Sequence, residues 1–156
     1  ATIVLPDQLQ ETDVLVEDGI ISAIGRGLPD GKETLDASGL ILFPGLIDPQ
    51  VHFREPGNAH KEDLHTGSKA AAAGGVTTII TRPDTKAAID TPEAYDFVKK
   101  KGNDDCIVNV FHIAALTKER KGREICEIGM LSEVHRNFSK NMISKTAITK
   151  KSSIFF

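Results

Sequence analysis

Between Pro44 and Gly57 the chain reads PGLIDPQVHFREPG, and every second residue from Asp48 to Arg54 is polar: Asp48, Gln50, His52 and Arg54. Side chains at i, i+2 and i+4 of an extended strand share one face. These four therefore project together, with Val51 and Phe53 on the other side. Unpaired polar groups on a buried strand are costly, so such a face needs a reason. At the C-terminal end of a parallel barrel strand the usual reason is an active site. An imidazole and a guanidinium at a strand end also serve structural roles, and the pattern alone leaves both readings open.

The elements around this stretch have to hold it in place. The first forty residues read as short strands punctuated by turns: DVLVE at Asp13–Glu17 alternates, AspGly at 18–19 turns it, and IISAI returns at Ile20–Ile24. That is the chemistry of a two-residue hairpin loop. A turn around Pro29-Asp30-Gly31 leads through Thr34–Asp36 and an AlaSerGly segment to a fully apolar run at Leu40–Phe43. The rhythm then becomes strand, loop, helix. Leu46–Phe53, Val76–Thr81 and Cys106–Ile113 are expected as buried strands. Helices are expected over Glu62–Ala73, stopped by Gly74-Gly75; over Thr91–Lys101, opened by ThrPro; and over Glu119–Glu133, with Ile125, Ile128 and Leu131 on one face. Three β-α units in succession imply a parallel sheet, and the fold class is α/β.

Composition narrows the class. The 156 residues are 40% hydrophobic and 26% charged, as in globular domains, with no apolar run near the ~20 residues of a membrane span. The opening ATIVLPDQLQETD has neither a basic nor an apolar signal region, so a secretory leader is not expected. Cys106 and Cys126 form no CxxC pattern and read as buried thiols of a reducing cytosol. The net charge of −3 conceals a break. Residues 134–156 carry five Lys or Arg and no Asp or Glu, leaving 14 basic against 22 acidic residues before them, and every Gly and Pro precedes residue 134. Only two of those five charges, Lys150 and Lys151, are adjacent and the segment ends in IlePhePhe, so it is read neither as a nucleic-acid arm nor as a membrane arm.

PGLIDPQVHFREPG, followed by AAAAGGVTTI and then RPDT, resembles the dihydroorotases and related cyclic amidohydrolases. VLVEDGIISAIG resembles the small β-domain that leads into their barrel, and ALTKERKGREICEIGMLSE resembles their third helical region. The resemblance implies the N-terminal third of such a protein: a small β-sandwich-like segment over residues 1–43, then the first three units of a TIM-type (β/α)8 barrel over 44–133. It implies a zinc-dependent hydrolase of cytoplasmic pyrimidine synthesis that interconverts dihydroorotate and N-carbamoyl-aspartate. Hydantoinases and allantoinases share the metal motif, while HFREPG favours a substrate bearing a carboxylate.

The family's Asp-x-His-x-His pattern assigns its two histidines to zinc and a following arginine to the substrate carboxylate. His52 falls on the second metal histidine and Arg54 on that arginine, whereas Gln50 stands at the first histidine position. A carboxamide oxygen is a weaker zinc ligand than imidazole. The family's Met-Pro-Asn-Thr, whose Asn binds substrate, is here Arg82-Pro83-Asp84-Thr85. An ionised Asp84 repels a carboxylate or pairs with Arg54, and Arg82 is a candidate replacement cation. The later metal carboxylate, two further histidines and catalytic Asp of the family have no counterpart, so no catalytic residue is assigned. His60, His65 and His112 match no metal position, and His135 has no ligand-like neighbours. The expectation is a chain that does not turn over alone, with a rival reading as a non-catalytic partner of aspartate carbamoyltransferase. Because resemblance ends at Glu133 together with the change of composition, a shifted reading frame is expected to have produced residues 134–156. Three strands with an open edge are expected to be marginally stable or prone to aggregate.

Overall fold

A computed structural model describes residues 1–134; the expectations for His135 and for the basic tail lie outside the described residues. The chain divides after Gly45 into two compact units.

In the first unit, β1 (Thr2–Val4) pairs antiparallel with β2 (Leu9–Glu11) and parallel with β5 (Ile41–Leu42). β3 (Asp13–Glu17) and β4 (Ile20–Gly25) form the expected hairpin. Asp18 and Gly19 both take left-handed φ values, 51° and 77°, which the right-handed twist of a two-residue hairpin requires. Thr34–Asp36 forms no strand. The Asp36 carboxylate instead accepts hydrogen bonds from the Ser38 amide (2.9 Å) and hydroxyl (2.6 Å), closing a side-chain turn before Gly39 at φ 77°.

The second unit is a three-stranded parallel sheet in the order β6 (Leu46–Val51), β7 (Val76–Thr81), β8 (Asn109–His112). α1 (Leu64–Ala73) joins the first two strands and α2 (Pro92–Asp105) the last two. α1 starts two residues later than expected, because Asp63 is its cap: the carboxylate accepts from the Thr66 amide while the Thr66 hydroxyl accepts from the Asp63 amide. Gly74-Gly75 ends it as expected. α2 begins as expected, with Thr91 capping the Ala94 amide and Pro92 in the first turn. It runs on through Gly102, where a stop was expected. That glycine is buried, and a Cβ there would lie 3.1 Å from His112 Nε2, so its role is to let the helix lie close on β8.

Two strand expectations need correction. β6 stops at Val51 and is not buried: Leu46 and Ile47 are 49% and 65% exposed. Pro49 lacks an amide and the register slips between Asp48 and Val51, so regular pairing ends early. The expected helix over Glu119–Glu133 is instead a 3-10 turn (Lys118–Arg120), a bridge pairing Thr117 with Ile125, and a helical stretch over residues 128–134. Gly122 at φ 70° and Glu119 and Arg120 at 49° and 61° break the backbone there. Ile125 and Ile128 are exposed, and only Leu131 joins the core, with Ile89, Tyr95, Val98 and Cys126.

The helices cover one face of the sheet. Ile79 and Thr81 of β7 and His112 of β8 are buried on that face, against Tyr95, Val98 and Leu64 of the helices. Thr78, Ile80, Asn109 and Phe111 alternate to the other face and are only half buried.

Candidate functional site

The segment leaving β6 is pinned on one side and open on the other. Phe53, 4% exposed, lies under Gly67 of α1, where a Cβ would fall 2.3 Å from its ring. Glu55 Oε2 accepts from the Leu64 amide at the start of α1 (3.0 Å), and Oε1 lies 3.3 Å from Lys101 Nζ, which also reaches Asp105 of α2 (2.8 Å). His65 Nδ1 is bonded to the Asp105 carbonyl (2.8 Å). Phe53 and Glu55 thus face the two helices, while the alternating residues His52 and Arg54 are exposed. Sequence reasoning passed over Glu55. The helix expected from Glu62 carries two acidic residues of its own at the start, so the sequence gives no sign that its amides need a carboxylate from elsewhere in the chain.

The expected common face of Asp48, Gln50, His52 and Arg54 is divided in practice. The Asp48 carboxylate turns back to accept from the Gln50 amide (3.0 Å), and Gln50 is exposed. Beyond the strand, the Arg82 amide donates to the Val51 carbonyl (2.9 Å) and extends the β6–β7 pairing by one step. That step sets Asp84 opposite His52. Asp84 Oδ2 lies 2.6 Å from His52 Nδ1 and 3.9 Å from Arg82 Nε. Asp84 therefore pairs with His52, not with Arg54 as one sequence alternative had it. Asp84 Oδ1 and Arg82 Nε are buried without hydrogen-bond partners.

The described residues do not make a zinc site by themselves. They contain no cluster of three or more His, Cys, Asp or Glu able to hold a metal. One imidazole at His52, beside a carboxamide at Gln50, falls short of the three protein ligands of a catalytic zinc. The other described histidines are accounted for separately. His60 is exposed, His65 ties down α2, and His112 is packed between sheet and helix. His112 Nδ1 is bonded to Thr81 Oγ1 (2.7 Å), and its ring meets Tyr95 edge-on at 6.5 Å. Burial pushes its pKa down to about 4, against a smaller upward pull from the Val98 carbonyl. A shallow cavity of about 560 Å³ lies beside the loops after β7 and β8, lined by Thr85, Lys86, Asp90, Glu119, Arg120 and Lys121; His52, Arg54 and Asp84 do not line it.

Known proteins match this chain closely. The family profile described as dihydro-orotase-like matches residues 39–152, a span that takes in most of the segment after Glu133. The dihydroorotase of Citrifermentans bemidjiense is 46% identical over 123 residues, which are 78% of this chain and 29% of that protein. Among solved structures, the L-hydantoinase (dihydropyrimidinase) from Arthrobacter aurescens superposes with a TM-score of 0.70 at 26% identity, covering 89% of this chain and 29% of that one. The D-hydantoinase (dihydropyrimidinase) from Thermus sp. gives 0.67 at 33% identity, covering 85% and 29%. The chain thus spans less than a third of the length of these relatives. With a profile match over most of its residues, the chain belongs to the dihydro-orotase-like family.

Proposed function

We propose that the protein is a dihydroorotase-like cyclic amide hydrolase by descent, of cytoplasmic pyrimidine synthesis, and that these 156 residues do not turn over substrate alone. The observation that carries the reading is where His52, Arg54 and Asp84 lie: all three follow the C-terminal ends of adjacent parallel strands, β6 and β7. In a (β/α)8 barrel that end is the catalytic one, and we read β6 to β8 as the first three strands of such a barrel. Arg54 is exposed there and is our candidate for the carboxylate of dihydroorotate or N-carbamoyl-aspartate, since its planar fork matches a carboxylate in two hydrogen bonds. When zinc is bound in a complete site of this kind, it polarises the ring carbonyl and activates water. His52 is the residue of this chain suited to that site, and Gln50 is not.

A second reading has a specific observation behind it. Gln50 at a metal-histidine position is the mark expected of a non-catalytic homologue that binds aspartate carbamoyltransferase. A preference for hydantoin-type rings is a third outcome, since both solved neighbours above carry that name. One set of assays separates the first two. The purified chain, and its Gln50→His variant, are expected to hydrolyse neither dihydroorotate nor hydantoin, because restoring one imidazole leaves the ligand set short. Turnover by the unmodified chain overturns the proposal, and stable co-purification with the transcarbamoylase moves it to the second reading.

A further inference from the structure

We infer that Asp84 is a positioning residue for His52 and not a substrate-binding residue, its carboxylate holding the imidazole with Nδ1–H turned inward and the Nε2 lone pair outward. The inference rests on the reading of this strand end as the active-site end and deepens it.

Three observations carry it. The Nδ1–Oδ2 separation of 2.6 Å is a short, charge-assisted hydrogen bond. An ionised carboxylate only accepts, so the proton of that bond belongs to Nδ1, and the neutral ring then carries its lone pair on Nε2. Asp84 is also enclosed where His52 is open, with side chains 16% and 47% exposed. A carboxylate so enclosed is a poor first contact for a ligand arriving from solvent, whereas the imidazole in front of it is accessible. Finally, Arg82 stands beside the pair with Nε 3.9 Å from the same Oδ2, setting a cation against the enclosed carboxylate. The carboxylate is the least exposed member of a row of imidazole, carboxylate and guanidinium. Such a row fixes a ring nitrogen for work as a ligand or base, in the way outer carboxylates fix metal-binding histidines. It also supplies the physical sense of Asp at the position where the family pattern has Asn. An amide either donates to or accepts from the ring and so leaves its tautomer open, while a carboxylate permits only one.

The test is the tautomer itself, read by long-range 15N–1H NMR on the full chain above the imidazole titration range, with the His52 signals assigned by their loss in His52→Gln. The wild type is expected to show His52 as the Nδ1–H form. Asp84→Ala is expected to shift the ring toward the Nε2–H form, and Asp84→Glu to restore the wild-type signature. The Nδ1–H signals of His65, bonded to a carbonyl elsewhere, serve as the internal control for an intact fold. A wild-type His52 in the Nε2–H form, or an Asp84→Ala ring that keeps the wild-type signature, overturns the inference. Hydrolysis of dihydroorotate by the unmodified chain would instead overturn the functional proposal and leave the tautomer result standing.

Discussion

The two faces of the β6–β7–β8 sheet obey different rules. On the helix side, Phe53, Leu64, Ile79, Val98 and Tyr95 are all less than a twentieth exposed, and Gly67 and Gly102 remove the side chains that would keep the layers apart. On the other side Leu46 and Ile47 are open, Ile80 and Phe111 are half buried, and the chemistry-bearing His52 and Arg54 stand among them. A parallel sheet is ordinarily covered on both faces. The lesson is that one face carries the stability of this unit, while the residues capable of chemistry lie on the face that contributes least to it.

The largest way to break that comparison is through Phe53. Phe53→Ala empties the contact with α1 and is expected to cost about 3–5 kcal/mol, read as a lowered urea midpoint in circular dichroism. A loss under about 1 kcal/mol would mean that the helix face is not the stabilising one.

A second effect comes from His112 on the same face. Its folded pKa is depressed to about 4 from 6.5, so the folded state prefers the neutral ring. The associated stability is complete above about pH 6.5 and is lost as pH falls toward 4, to a limit of about 3 kcal/mol. Unfolding curves across that window should show the loss in the wild type and a flatter profile in His112→Gln. Parallel profiles for the two proteins would remove His112 from the account.

The smallest effect belongs to the open face. Ile47→Lys is expected to change stability by no more than about 0.5 kcal/mol while reducing self-association in sedimentation. A large destabilisation would show that Ile47 is covered in solution.

The same contrast explains what was legible in the sequence. Turn and cap chemistry is local, and Asp18-Gly19, Thr91-Pro92 and Gly74-Gly75 were read correctly because each acts through its own neighbours. Gly102 misled, because its reason is a histidine ten residues away on another element. The stretch after Lys118 looked helical by composition, but left-handed backbone at Glu119, Arg120 and Gly122 broke it. At the site, His52, Arg54 and Asp84 were visible as residue types at a strand end. The His52–Asp84 bond was not, since 32 residues separate the partners and only the parallel β6–β7 register brings them together.

We propose that the open face carries one arm of a metal centre and not a whole one. Zinc content tests it most directly. The purified chain is equilibrated with micromolar zinc, desalted and analysed by plasma mass spectrometry beside a His52→Ala control. Far less than one zinc per chain is expected, with no difference between the two proteins. Stoichiometric zinc in the wild type that disappears in His52→Ala would contradict it.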